Sequence, residues 1–74
     1  MIWAVHVEGW KREQTNEVKF TKHVEELEKM RSVLESNGIV VTWEIRTDEF
    51  LAGVINHNSG IIHDWLSAGH AVEI

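Results

Sequence analysis

Histidine, arginine and glutamate at alternating positions of two apolar segments are the groups best placed to do chemistry in this chain. His6 and Glu8 alternate with Val5 and Val7, and Glu44 and Arg46 alternate with Trp43 and Ile45. Alternate residues of an extended segment share a face, so these four polar groups share one side of a sheet if both segments are strands. His6 is then placed to act as a general base and Arg46 as an anion clamp, with Glu44 or Glu8 setting the tautomer or charge of the imidazole. The competing reading is structural: cross-strand ion pairs in which Arg46, with Glu8 or Glu44, sets the register of a dimer.

A second group is Trp10 with Lys11 and Arg12, at the point where the first apolar segment opens into a polar stretch. An exposed tryptophan beside two cations has the composition of a binding hot spot; the alternative is a lid over the end of the following helix. Trp3, Trp43 and Trp65 fall on apolar faces and read as core. His57, His63 and His70 share the last third of the chain with Asp64 and Glu73, but His63 falls on the second helix while His57 and His70 flank its opposite ends, and no convergent metal site is expected. His70, just past a helix C-terminus, suits the helix dipole there. No serine, cysteine or lysine occupies a nucleophile motif, and no glycine pattern for nucleotides occurs, so covalent and nucleotide chemistry are disfavoured and no cofactor is expected.

The elements that must position these groups follow from periodicity. Ile2 to Val7 alternates and is rich in β-branched residues, reading as a strand that Gly9 ends. Phe20, Val24, Leu27, Met30 and Leu34 recur at helical spacing, with Asn16 or Thr15 as N-cap and Gly38 as the left-handed stop. Ile39 to Arg46 reads as a second strand. Thr47-Asp48-Glu49 reads as a turn and Phe50 to His57 as a hairpin partner, because Gly53 weakens a helix. Asn58-Ser59-Gly60 caps a second helix over Ile61 to Ala68, Gly69 ends it, and Ala71 to Ile74 reads as a last strand.

The resulting order is β-α-β-β-α-β, a ferredoxin-like α+β fold in which two helices cover one face of a four-stranded antiparallel sheet. Trp3, Val5, Val7, Val41, Trp43 and Ile45 would meet the helices. Ile2, Ala4, His6, Glu8, Val40, Thr42, Glu44 and Arg46 would form the uncovered face. In this strand order, long first helix and open sheet, the chain resembles the dimeric α+β barrel superfamily, which includes muconolactone isomerases and antibiotic-biosynthesis-type monooxygenases. The resemblance implies two sheets meeting through their open faces, with substrate bound inside the barrel or between sheet and helices. Acylphosphatases share the plan, but Glu8-Gly9-Trp10-Lys11-Arg12 lacks their phosphate loop. RNA-recognition modules share it too, but their sheet aromatics are missing from this open face.

Composition narrows the partners. The 74 residues carry a net charge of −5, with hydrophobic residues at 43% and no cysteine. Those values fit one ordered domain without disulfides, for which oligomerisation is the remaining staple. The acidic balance argues against nucleic acid, and no apolar run approaches a membrane span. Met1 leads straight into Ile2 and Trp3 without a leader pattern, so the expected location is cytoplasmic. The chain is therefore expected to be a homodimeric protein-binding module, of the composition found among accessory proteins and phage-encoded inhibitors. The rival is a small-molecule-binding protein or cofactor-free enzyme of the barrel kind, with His6, Glu44 and Arg46 in its pocket.

Overall fold

A computed structural model describes residues 3–74. Along the chain run β1 (Ala4–Val7), α1 (Glu17–Ser36), β2 (Thr42–Ile45), α2 (Asp48–Asn56), α3 (Ile61–Ser67) and β3 (Ala71–Glu73). The three strands form one sheet in the order β1-β2-β3, and both pairings are parallel. The fold is α+β, but the expected four-stranded antiparallel, ferredoxin-like sheet is not present. The resemblance to the dimeric α+β barrels rested on that order and goes with it.

The correction originates in one segment. Phe50 to His57, expected as a strand, lies mostly in α2. Thr47 is extended and precedes a first turn carrying Asp48 and Glu49, where acidic groups complement the positive end of the helix dipole. What resembled a turn is a helix start. Gly53 has a packing role: a Cβ there would lie 3.0 Å from Phe20 Cδ2, so the missing side chain lets α2 close on α1. Two helices now separate β2 from β3, long enough for the crossover that parallel pairing requires and a tight hairpin cannot make.

The signals that bracket α1 and close α3 hold. Asn16 accepts a hydrogen bond from the Lys19 amide at 3.1 Å, and α1 runs from the next residue. Gly38 and Gly69 take φ of 71° and 92°, as the left-handed closures of α1 and α3 demand. The core joins Val7, Trp43 and Ile45 of the sheet to Phe20, Leu27, Phe50, Ile61 and Trp65 of the helices. Trp43 and Trp65 stack with ring centroids 4.3 Å apart.

Sidedness is as the alternation implied. Val7, Trp43 and Ile45 are buried and Val5 and Val72 partly so, whereas Ala4, His6, Ala71 and Glu73 are exposed. Strands laid down in one direction by right-handed crossovers put every crossover helix on one side. One face of the sheet is thus covered and the other is bare. Trp3, expected in the core, is 52% exposed; Ile2, expected on the bare face, lies outside the described residues.

Candidate functional site

The bare face is organised by register. Ala4, Thr42 and Ala71 are aligned across the three strands, and His6, Glu44 and Glu73 form the row beside them. The first row is small and the second is polar. Arg46, one alternation beyond Glu44, folds back onto it.

His6, Glu44 and Arg46 are brought together here. His6 Nε2 lies 2.8 Å from Glu44 Oε1, and Arg46 donates to the same oxygen. Arg46 NH2 is also 3.2 Å from His6 Nε2. One ring nitrogen cannot donate to the carboxylate and accept from the guanidinium at once. The contact with hydrogen-bond geometry is the one from Arg46, whose guanidinium donates to His6 Nε2 and to the Glu44 carboxylate and so joins the three side chains. The His6 side chain is 56% exposed, and in that setting such pairs are worth less than about 1 kcal/mol each. Glu8 is exposed as well and takes no part in this bridge. Open clefts of about 190 and 340 Å³ lie along α1 instead, the first lined by Phe20, Thr21, Val24 and His57 and the second by Val18, Thr21, Lys22 and Glu25.

A different polar constellation, which the sequence did not single out, lies at the carboxyl ends of β1 and β2. Glu13 is fully buried. Its carboxylate accepts from His23 Nδ1 at 2.6 Å and from the Trp10 amide. Trp10 stacks on the His23 ring, centroids 4.4 Å apart and planes within 7°, and the edge of His23 meets Phe50. Trp10 is therefore half-buried over the start of α1, in the place of the lid. Lys11 and Arg12 beside it are exposed; the Lys11 carbonyl accepts from Lys19 Nζ at 2.9 Å, and Arg12 takes a left-handed φ of 66°. His57 Nε2–H donates to the Glu13 carbonyl and Asn56 Nδ2 to the Gln14 carbonyl. The polar connection from Trp10 to Asn16 is thus pinned at several points, and each pin satisfies a backbone or carboxylate group that burial would otherwise leave costly.

One sequence signal for His23 existed. It falls between Phe20 and Leu27 on the buried stripe of α1, at spacings of three and four. Glu13 had none, since a lone carboxylate in a polar loop reads as solvated.

At the opposite end of the sheet, buried His70 accepts from the Val41 amide through Nδ1 at 3.1 Å and donates from Nε2 to Glu35 at 2.8 Å. It ties α1 to the junction of β2 and β3 and is satisfied at both nitrogens. His63 is exposed on α3. Among the described residues, no three His, Asp or Glu side chains are grouped so as to hold a metal ion, and no helix is long and apolar enough to cross a membrane.

Compared with known proteins, the chain matches no family model, no curated protein and no solved structure. The geometry alone carries the functional argument.

Proposed function

We propose that the chain is a small protein-binding module, acting as a homodimer, that presents the bare face of its sheet to a partner protein. The observation that carries this reading is the uncovered face of a wholly parallel sheet. Parallel sheets are found almost only with both faces covered, and here one side carries Ala4, Thr42 and Ala71 in a row beside His6, Glu44 and Glu73. The small row lets a partner backbone approach closely, and the polar row with Arg46 gives it register. The exposure of His6 supports binding over catalysis, because a general base works best where water is excluded.

The test is capture of a partner by cross-linking in native cells, comparing the wild-type chain with Thr42→Arg and Arg46→Glu, which alter the bare face, and Lys29→Glu on the outer side of α1. A stoichiometric partner retained by Lys29→Glu and lost by both face variants supports the reading. Retention by the face variants, with folding verified by circular dichroism, refutes it.

A further inference from the structure

We infer that two copies join edge to edge through β1, forming one continuous six-stranded sheet. This rests on the homodimer part of the proposed function and is independent of what the bare face binds. β1 has β2 on one side only, and no strand lies outside it among the described residues. The Thr42 amide donates to the Trp3 carbonyl and the Arg46 amide to the Val7 carbonyl. Trp3, Val5 and Val7 therefore turn their backbone groups toward β2, and Ala4 and His6 turn theirs outward, as parallel pairing dictates. The outward edge reads Ala-Val-His-Val, without the lysine, proline or bulge that usually blunts an edge strand.

The flank of α1 above this edge matches it. Phe20 meets Gly53 of α2, and Glu35 reaches His70 before β3; these contacts fix which side of α1 faces the other helices. Lys19, whose ammonium meets the carbonyl of Lys11 in the connection that leaves β1, lies on the other side. Glu26, Met30 and Val33 follow it at spacings of seven, four and three, one helical stripe. Met30 and Val33 are 44% and 63% exposed. They belong to the last turns of α1, which lead into β2 at the level of Ala4, the level at which Trp3 is also exposed. An unprotected strand edge and three exposed apolar side chains thus share one side of the molecule.

A second copy fits this side better than a different chain, because the side is complementary to itself. Antiparallel pairing of β1 about Val5 lets Ala4 of each copy exchange both backbone hydrogen bonds with His6 of the other, small against large. The same two-fold axis, normal to the sheet, sets the two α1 helices antiparallel to each other. Such isologous matching is what closes a two-fold dimer. β3 is the poorer edge, since its three residues turn only Val72 outward.

Sedimentation equilibrium across a concentration series, with folding checked by circular dichroism, tests this. The wild-type chain is expected to be a dimer. Ala4→Pro removes an outward amide that no intrachain bond uses, and proline is tolerated on an edge; Val33→Glu charges an already exposed position, so it stays folded even if Ala4→Pro does not. Each is expected to raise the dimer Kd by tenfold or more, the size of effect that follows when one buried anchor of a small interface is disrupted, whereas Thr42→Arg leaves it within about threefold. A dimer broken by Thr42→Arg but indifferent to Val33→Glu overturns the edge seam and leaves the homodimer standing. A wild-type chain that is monomeric at all concentrations overturns both.

Discussion

Glu13→Ala is the most informative single perturbation of the fold. The carboxylate is fully buried and holds both the His23 Nδ1–H and the Trp10 amide. Truncation leaves two buried donors unpaired and opens a void beneath the Trp10–His23 stack. Breaking a buried pair from one side costs about 3–5 kcal/mol, and a chain of this length has a total stability of roughly 4–10 kcal/mol. The variant is therefore expected to sit near the edge of folding, with Tm lowered by about 12 °C or more at 4–8 °C per kcal/mol. Glu13→Gln keeps the shape and one acceptor, and is expected to lose about 1–3 kcal/mol, the cost of one unpaired donor. Urea unfolding followed by circular dichroism measures both, and a cycle with His23→Ala isolates the coupling, expected at about 1–3 kcal/mol. A loss below about 1 kcal/mol for Glu13→Ala would show that the Trp10 loop rearranges to let water reach the freed donors. The assignment of Glu13 as the pin of that loop would then be wrong.

Three further outcomes follow from the same contacts. A Cβ on Gly9 would overlap Thr47 Oγ1 and lie 3.1 Å from Glu49 Cβ, so Gly9→Ala is expected to cost about 1–3 kcal/mol in urea unfolding; Thr47 Oγ1 has no hydrogen-bond partner, so adding Thr47→Ala recovers part of that loss. His70→Ala strands the buried Val41 amide and frees Glu35, and is expected to lower stability by about 1–3 kcal/mol in the same assay. Arg46→Ala, by contrast, removes only an exposed pair and is expected to change unfolding stability by less than about 1 kcal/mol while weakening partner capture, which separates the bare face from the core.

Much of the architecture was legible because local signals and burial agree. Asn16 and Gly38 bracket α1 by cap chemistry, and the alternation around Trp43 places the face of β2 that the helices cover. His6, Glu44 and Arg46 meet because alternation and register both follow from the pleat. The direction of β3 was not legible, and it turned on one glycine. Gly53 reads as a helix breaker when only propensity is weighed, yet in three dimensions it is the gap into which Phe20 fits, and tertiary packing outweighs the roughly 1 kcal/mol propensity cost. Reading Phe50 to His57 as extended inserts a hairpin strand after β2 and reverses the direction of the last strand. Glu13 escaped for a related reason: its burial depends on Trp10 and His23 closing over it, an arrangement between a loop and a helix that no periodicity encodes. Trp3 erred the other way, since its parity points to the helices yet it is 52% exposed.

The one-way progression of the strands has a consequence for building on this chain. Each helical excursion returns the backbone one position further along the same ladder, so the architecture is additive, like a staircase whose next tread is always in the same place. A helix and strand grafted beyond β3 would extend the ladder past Val72 and lengthen the bare face by one strand, without disturbing the β1 side. Enlarging the binding platform and altering its self-association are thus separable engineering problems, addressed at opposite margins of one small sheet.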